Sequence, residues 1–226
     1  DGGSTDGSIE IIRKYADQLD WWVSEPDNGQ SHAINKGLKR ATGEWVAWQN
    51  SDDVYLPGTF AQLANAANRW AQAKLIVGDM LLIDAQDRPI RDLRYVRPTY
   101  ASVLAEGMVL ANQSAFWRKS LHERIGWLDE TLHYSFDYEW FLRVLKDMNC
   151  AQHVPLLWGA LRYHEATKTS RHRSMFNKEH QAVLEGRALP QWQKVLYQIR
   201  RLLLTLRYGH FNYVLRGINY RSKLNR

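Results

Sequence analysis

The feature that most constrains the fold is an aromatic, apolar run that ends abruptly in polar residues. The run Trp45-Val46-Ala47-Trp48 is followed directly by Gln49-Asn50-Ser51-Asp52-Asp53, and Pro57-Gly58 closes the segment. This pattern is typical of a buried strand that delivers its last side chains to the rim of a sheet. The adjacent carboxylates of Asp52 and Asp53 repel each other unless a divalent cation or hydroxyl donors offset their charge. A cation site is therefore one interpretation of this stretch, and a simple turn is the other.

Helical and strand-like segments alternate over the first 79 residues. Helices are predicted over about 9–18, 31–41 and 57–73, and strands over 19–24, 44–48 and 75–79. Such alternation predicts crossover connections and an α/β fold with a mainly parallel sheet flanked by helices, which binds ligands at the carboxyl ends of its strands. Asp1, Asp27 and the pair Asp52 and Asp53 would then share one rim of that sheet.

The second half of the chain is less regular. It predicts a hairpin over 81–94 that turns at 84–87, strands over 113–117 and 154–163, the latter broken by Pro155, and helices over 119–125 and 136–148. Asp137 lies at the N-cap position of the last of these helices. Capping alone would explain an aspartate there, so capping and a functional role are both open for this residue.

Basic charge is concentrated at the C-terminal end. Eight of the 30 Lys and Arg residues fall between 190 and 226, a range without Asp or Glu, and the whole chain has a net charge of +6. Apolar residues recur there at helical spacing among the cations, including Trp192, Leu196, Ile199 and Leu203. A basic amphipathic helix of this kind suits an anionic membrane surface, and packing of its apolar face on the rest of the protein is the alternative.

Cysteine usage and hydropathy limit the compartments in which the chain would work. Cys150 is the single cysteine, which excludes an intrachain disulfide and is compatible with a reducing compartment. The sequence has no apolar run long enough to predict a membrane-spanning helix. We therefore predict a cytoplasmic protein, peripheral on the inner face of the cell membrane if residues 190–226 bind lipid. No nucleic acid partner is predicted, because the cations lie on amphipathic helices without a recognition motif.

Short motifs follow one another in order along residues 1–165. They are Asp1-Gly2-Gly3-Ser4-Thr5-Asp6-Gly7-Ser8, Asp27-Asn28-Gly29-Gln30, Ala33-Ile34-Asn35-Lys36-Gly37, Ala41-Thr42-Gly43-Glu44, Asn50-Ser51-Asp52-Asp53, Pro57-Gly58, Asn112-Gln113-Ser114, Gly126-Trp127-Leu128-Asp129-Glu130 and Phe136-Asp137-Tyr138-Glu139-Trp140. Together, in this order and at this spacing, they resemble the family 2 glycosyltransferases. The series carries the resemblance, since each motif alone is weak.

The resemblance implies a fold and a reaction. The fold is the Rossmann-like, nucleotide-binding A-type glycosyltransferase domain over residues 1–165, with residues 166–226 as a basic amphipathic helical tail. The reaction is the inverting transfer of a sugar from a nucleotide diphosphate donor, with a UDP-sugar favoured, to a glycan or lipid-linked acceptor. Mg²⁺ or Mn²⁺ is the expected cofactor, because a bound divalent cation stabilises negative charge on the departing diphosphate.

The resemblance also assigns roles to residues of the chain. Asp137 matches the family's catalytic base, and Asp53 its metal-binding position. Asp52 resembles the residue that shares the metal or contacts the ribose. His164 is similar to a late histidine that approaches metal or diphosphate in some members, and a surface histidine at a strand end is the other interpretation.

Donor and acceptor contacts are assigned in the same way. Asp1 resembles the residue that hydrogen-bonds the nucleotide base, and Asn35 and Lys36 lie where family members line the donor pocket. The acceptor side is expected at Asn112, Gln113, Trp117 and Trp140, with core packing as the alternative for the tryptophans.

The sequence departs from the family pattern in two places. His32 stands where close relatives often carry an acid, and the strand that normally precedes Asp1 is absent, so we expect an N-terminal truncation. A nucleotide-sugar-binding module without turnover is therefore the alternative to an active enzyme.

Overall fold

The computed structural model describes residues 1–147, 151–163 and 173–216, so Cys150 and His164 lie outside the described residues. Its strands are β1 (Trp45–Val46), β2 (Val54–Tyr55), β3 (Leu75–Ile83), β4 (Pro89–Leu93), β5 (Ala115–Arg118) and β6 (Ala151–Arg162). The two long strands, β3 and β6, form the centre of one sheet with the order β1-β5-β3-β6-β2, and β4 pairs with β3. Leu75, Ile76 and Val77 of β3 are fully buried, as expected for a strand covered on both faces.

The sheet is mixed, which corrects the prediction of a mainly parallel one. Among the strands that the structure describes, β3 and β6 pair in parallel, whereas β1–β5, β3–β5, β3–β4 and β2–β6 are antiparallel. The α/β class itself is confirmed. Because β1 and β3 are both antiparallel to β5, they run in the same direction, as the crossover pattern predicted. Strand β5 comes from later in the chain and lies between them, and local periodicity does not reveal such an insertion.

The helices are α1 (Ser8–Lys14), α2 (Gln30–Arg40), α3 (Thr59–Arg69), α4 (Tyr100–Glu106), α5 (Leu121–Ile125), α6 (Phe136–Asp147), α7 (Arg173–Leu184) and α8 (Gln191–Arg207). The predicted helices at 31–41 and 136–148 are confirmed to within a residue or so. The predicted strand at 19–24 is wrong, because the backbone here contacts residue 1 through only two hydrogen bonds, one at Val23 and one at Glu25 just beyond the segment. Two hydrogen bonds are too few to make a ladder.

Pro155 does not break the last strand. β6 runs continuously from Ala151 to Arg162, and its register against β3 shifts between Val77 and Met80, opposite Pro155. Proline has no amide hydrogen to donate, so the ladder bulges there and then resumes. The predicted hairpin is confirmed, with Asp87 in its turn at a φ of 63°.

Aromatic side chains fill much of the core on one face of the sheet. Trp48 contacts Trp117, Trp140 and Phe141, with ring centroids 5.1, 6.5 and 6.2 Å away. Trp48 belongs to the segment that follows β1, so the aromatic run noted in the sequence is anchored in this cluster. Its burial fixes where the polar residues after it emerge.

Helix α8 packs on α4 and still presents an apolar outer face. Arg201 forms an ion pair with Glu106 of α4 at 2.7 Å, and beyond the helix Arg216 pairs with Asp92 at 2.7 Å. The exposed apolar side chains of α8 are Trp192, Val195, Leu196, Ile199, Leu202 and Leu203. None of the helices that the structure describes is long and apolar enough to cross a membrane.

A glycine in β6 permits a close backbone approach beside the cavity described below. A Cβ on Gly159 would lie only 1.9 Å from the carbonyl oxygen of Gln113. Gln113 belongs to the 3₁₀ turn Asn112–Ser114, so this turn rests directly on the backbone of β6. Only glycine allows the turn to sit there without a shift of the backbone.

Gly159→Ala should therefore destabilise the protein by about 2 kcal/mol or more, because the methyl group meets backbone rather than a flexible side chain. Urea unfolding followed by circular dichroism measures the change. The control is Gly37→Ala in α2, where a Cβ has open space, and it should be neutral or stabilising by about 0.5–1 kcal/mol. Equal midpoints for Gly159→Ala and the wild type would show that the close approach is not a constraint.

Candidate active site

A cavity of about 1140 Å³ lies where the segment after β1, the Asn112–Ser114 turn and the start of α6 meet. It is lined by predicted site residues from distant parts of the sequence, namely Asp1, Asp52, Asp53, Asn112, Gln113 and Asp137. The volume suits a ligand larger than a single monosaccharide. Residues that the sequence assigned to the site separately therefore border the same cavity.

Asp53 joins three parts of the chain at this cavity. Its Oδ2 accepts hydrogen bonds from Asn50 Nδ2 at 2.8 Å and Gln113 Nε2 at 2.7 Å, and its Oδ1 accepts one from the amide of Arg162 at 2.9 Å. The amide of Asp53 also donates to the carbonyl of Asn50 at 3.1 Å. The turn interpretation of this stretch is therefore correct in its geometry. It does not exclude a ligand role, because the same carboxylate borders the cavity.

The carboxylates here are compatible with a hard divalent cation. Two carboxylate oxygens offer about four acceptor sites, of which Asp53 uses three, and the exposed Asp52 lines the same cavity. Mg²⁺ commonly takes one or two carboxylates from the protein and the remaining ligands from phosphate and water. Among the described residues no group of three or more His, Cys, Asp or Glu could by itself hold a metal ion. His164, the third predicted ligand, lies outside that range.

Asp137 is not the N-cap of α6. The helix begins at Phe136, so Asp137 is its second residue, and its Oδ1 accepts a hydrogen bond from the amide of Tyr138 at 2.7 Å. The carboxylate thus satisfies one amide of the first turn and also borders the cavity. This position suits a group that must reach a ligand while its own helix holds it in place.

Two amide side chains at the cavity have buried atoms without partners. Nε2 and Oε1 of Gln49, and Nδ2 of Asn112, form no hydrogen bond with any residue that the structure describes. Leaving a buried polar atom unpaired typically costs about 1–3 kcal/mol, so such atoms in a cavity wall favour a polar ligand. Sequence reasoning identified Asn112 and missed Gln49, although Gln49 lies inside the strand-end motif.

Arg162 and Tyr95 were also missed by the sequence reasoning. The guanidinium of Arg162 donates to the carbonyl of Asp52 at 2.8 Å and pairs with Asp87 at 2.8 Å, which ties the β3–β4 turn to the cavity rim. The sequence could have indicated Arg162 by its position at the end of the last predicted strand, where site residues are expected. Burial, with the charge of Asp79 nearby, raises the pKa of the Tyr95 hydroxyl, so this cavity group stays protonated at neutral pH.

Asp1 lines the cavity, but its carboxylate is already engaged. Oδ2 accepts from the amides of Gly3 and Ser4 and from Ser24 Oγ, and Oδ1 accepts from Ser4 Oγ. Three of these four hydrogen bonds fall on Oδ2, so Oδ1 retains acceptor capacity. A nucleotide base that donates a hydrogen bond to Asp1 would have to share the carboxylate with these partners.

The structure corrects the donor assignment of Asn35. This side chain is 1% exposed, and its amide donates to the carbonyl of Leu128 at 2.9 Å and to Glu130 at 2.8 Å while accepting from the amide of Leu128. It joins α2 to the loop before α6 and does not line the cavity. Lys36 pairs with Glu25 at 2.7 Å and borders an adjoining, smaller cavity of about 290 Å³ beside Asp1.

The structure also corrects the acceptor assignment of the tryptophans. Trp117 and Trp140 are both completely buried, and their indole N–H groups donate to His122 Nε2 and to the carbonyl of Gly126. Core packing, the alternative interpretation, is the role that the structure shows. Neither ring has a face available to a sugar.

A comparison with protein families assigns the first half of the chain. The model described as "Glycosyl transferase family 2" matches residues 1–106, which include Asp52 and Asp53. This part of the chain is thus similar to glycosyl transferase family 2. The family resemblance read from the motifs is thereby confirmed.

Curated relatives extend the similarity beyond residue 106. An uncharacterized glycosyltransferase of Rickettsia typhi is 28% identical over 157 residues, which cover 64% of this chain and 47% of that protein. A glycosyltransferase of PGL/p-HBAD biosynthesis from Mycobacterium bovis is 31% identical over 86 residues, 36% of this chain and 34% of that one. The chain spans half or less of the length of these relatives.

Solved structures show the same fold at low identity. TarS of S. aureus, residues 1–349 in complex with UDP-GlcNAc, matches 86% of this chain and 58% of its own with a TM-score of 0.63 and 16% identity. The mannosyltransferase PcManGT of Pyrobaculum calidifontis, in complex with GDP-Man and Mn²⁺, matches 87% of this chain and 57% of its own with a TM-score of 0.56 and 20% identity. The A-type glycosyltransferase fold is therefore confirmed.

The hydrogen bonds of Asp53 predict a structural role for this residue. Asp53→Ala should lower the free energy of unfolding by about 2 kcal/mol or more, because it breaks three hydrogen bonds and leaves Gln113 unpaired. Urea unfolding of the ligand-free protein measures the change. Asp20→Ala, which truncates an exposed aspartate, is the control and should change stability by less than about 0.5 kcal/mol. A loss equal to that of the control would show that the hydrogen bonds of Asp53 do not hold the rim.

Proposed function

We propose that the chain is the catalytic domain of an inverting, metal-dependent glycosyltransferase. It would move a sugar from a nucleoside diphosphate donor, with a UDP-sugar favoured, to a hydroxyl of a glycan or lipid-linked acceptor. The observation that carries the proposal is the single cavity bordered by Asp52, Asp53 and Asp137 together with the unpartnered amides of Gln49 and Asn112. TarS and PcManGT, which share the fold, were solved with nucleotide sugars, and this supports the donor class.

Asp52 and Asp53 would hold the cation, with His164 as a further ligand. A bound Mg²⁺ or Mn²⁺ supplies Lewis acid stabilisation of the charge that develops on the departing diphosphate. The protein's part is positional. Asn50, Gln113 and the amide of Arg162 keep the Asp53 carboxylate fixed at the rim, so it does not have to be ordered when the donor binds.

Asp137 would act as the general base. It would take the proton from the acceptor hydroxyl as that oxygen attacks the anomeric carbon on the face opposite the diphosphate. The new glycosidic bond forms as the sugar–phosphate bond breaks, which inverts the configuration in one step. A positioned base typically contributes about 10²–10⁴ in rate.

The amides of Gln49 and Asn112 would bind hydroxyl groups of the substrates. A sugar hydroxyl both donates and accepts, so it can satisfy Nε2 or Oε1 of Gln49 and Nδ2 of Asn112. A site built to pair with a hydroxyl rejects analogues that lack it, because its own polar atoms are then left unpaired. These amides are therefore the part of the site in which sugar specificity would reside.

Donor binding and turnover provide the test. Titration calorimetry should show UDP binding roughly tenfold or more tighter with Mn²⁺ than without it, because a cation held by Asp52 and Asp53 would offset the negative charge of the diphosphate. Asp137→Asn should keep UDP affinity within about twofold and lower the rate of sugar transfer or donor hydrolysis by about 10²–10⁴. UDP-GlcNAc, UDP-glucose and GDP-mannose form the donor panel.

Asp147→Asn is the matched control, since it changes an exposed carboxylate at the far end of the same helix and should leave turnover unchanged. Substantial turnover by Asp137→Asn would contradict the assignment of the base. If the wild type bound neither UDP nor GDP, both with and without Mn²⁺, the proposed function would be contradicted.

A nucleotide-sugar-binding module without turnover is the second candidate. Such a module would bind the donor in the same cavity and would lack only the transfer of the sugar to an acceptor. Both candidates predict nucleotide binding, and only the enzyme predicts release of UDP from a donor. Turnover by the full-length protein therefore separates them.

We further propose that α8 places the domain on an anionic membrane surface, which fits a lipid-linked acceptor and a peripheral location on the inner face of the cell membrane. Its exposed apolar side chains, including Leu196, Ile199 and Leu203, would enter the interface beside the basic side chains of the same helix. Each Lys or Arg near anionic lipid contributes about 1 kcal/mol. The ion pair of Arg201 with Glu106 would hold the helix on the domain as it binds.

The double variant Leu196→Ser/Leu203→Ser should weaken sedimentation with phosphatidylglycerol vesicles by about 10²-fold or more, because it removes two exposed apolar anchors. Ile11→Ser, an equally exposed apolar position on α1, is the control and should bind like the wild type. Equal sedimentation of the double variant and the wild type would contradict the membrane proposal.

A further inference from the structure

The segment that leads into α6 is held by a residue from far along the chain. The carboxylate of Glu179, in the middle of α7, accepts hydrogen bonds from three consecutive backbone amides. These come from His133 at 2.9 Å, Tyr134 at 2.7 Å and Ser135 at 2.5 Å. We propose that Glu179 is a positioning residue for Asp137, a role that rests on the proposed function of that carboxylate as the base.

The three amides precede the first turn of the helix that carries Asp137. Phe136 is the first residue of α6, and the carbonyl of Ser135 accepts the amide of Glu139 at 2.9 Å. A carboxylate at this end of a helix is favoured by the helix dipole, and hydrogen bonds from amides to an ionised acceptor are stronger than neutral ones. Glu179 therefore fixes the direction in which α6 leaves the loop.

The serine next to the helix does not perform this task. Ser is a favoured residue at the start of a helix, where its hydroxyl usually accepts an amide of the first turn. Here Ser135 is fully buried, and its hydroxyl has no partner among the residues that the structure describes. The anchoring of this end of α6 thus comes from Glu179 on another helix.

The loop held by Glu179 forms one wall of the cavity. His133, Tyr134, Phe136 and Asp137 all line it. The loop also abuts the start of α2, since a Cβ on Gly29 would lie 3.3 Å from His133 Nδ1. A shift of this loop would therefore move the proposed base and the wall around it together.

Further contacts keep α7 seated where Glu179 can reach the loop. The Tyr134 hydroxyl lies 3.4 Å from the sulfur of Met175, and the rings of Tyr138 and His180 are 4.3 Å apart. Burial lowers the pKa of His180, so this ring is neutral at physiological pH and packs as an uncharged group. Helix α7 lies beyond both the family match and the predicted boundary at 165, so the site extends into that part of the chain.

The position of the base affects the rate of sugar transfer more than it affects the affinity for the donor. Misplacing a reacting group by about 1 Å costs on the order of 10²-fold in rate. The proposed donor contacts, Asp52 and Asp53, lie on a different segment of the chain, which Glu179 does not contact through any of the hydrogen bonds above. Removal of Glu179 should therefore lower kcat and leave the KM for the donor unchanged. A general loss of structure would instead change both.

The test compares Glu179→Ala and Glu179→Gln with Glu185→Gln, which changes an exposed glutamate just after the same helix. We expect Glu179→Ala to lower kcat by about 10²-fold with the KM for the donor within about twofold. Glu179→Gln, whose carbonyl oxygen can still accept amides, should recover part of that loss, and Glu185→Gln should match the wild type. Hydrogen exchange at amides 133–135 should accelerate by about tenfold or more in Glu179→Ala.

Unchanged exchange at 133–135 in Glu179→Ala would overturn the proposal, as would faster exchange with an unchanged kcat. A rise in donor KM without a fall in kcat would also overturn it. Failure of the proposed function would be seen differently, as a wild-type chain that binds neither UDP nor GDP. In that case the exchange rates alone decide whether Glu179 holds the loop.

Discussion

The three hydrogen bonds that converge on the Asp53 carboxylate connect the parts of the site. They join the turn after β1 to the Asn112–Ser114 turn and to the end of β6, so residues about 50 to 110 positions apart are held at one rim. Because Gly159 lets Gln113 rest on the backbone of β6, the amide of Gln113 reaches Asp53. The Asp53 carboxylate is thus held by hydrogen bonds within the protein and also borders the cavity in which a ligand would bind. The turn and cation interpretations of the same residues are therefore compatible.

The sequence predicted the local elements well and the sheet only in part. Periodicity located α2, α6 and the β3–β4 hairpin, because these depend on neighbouring residues. It could not show that β5 lies between β1 and β3, since pairing across some 40 to 70 residues leaves no local pattern. The predicted strand at 19–24 had the composition of a strand but lacked a partner long enough to pair with it in the described structure.

The residues of the site were likewise predicted only in part. Asp52, Asp53, Asn112, Gln113 and Asp137 line one cavity, as motif order implied, whereas Asn35 and Trp140 belong to the packing of the domain. Motifs report which residues recur together, and they do not separate ligand contact from structural support. Gln49 and Glu179 were missed for different physical reasons. Gln49 is identified only by its buried polar atoms without partners, which a sequence does not reveal. Glu179 is identified by the backbone amides that it accepts, and every residue except proline has such an amide, so no motif indicates it.

In the proposed function, Asp52, Asp53 and Asp137 border one nucleotide-sugar site with a bound cation. Paramagnetic broadening in NMR spectra tests it most directly, because Mn²⁺ broadens only nearby signals. With UDP present, Mn²⁺ should broaden the amides of 50–53, 112–114 and 162, and more weakly that of Asp137, while those of α8 stay sharp. Broadening absent from this rim, or equal across the protein, would contradict the account.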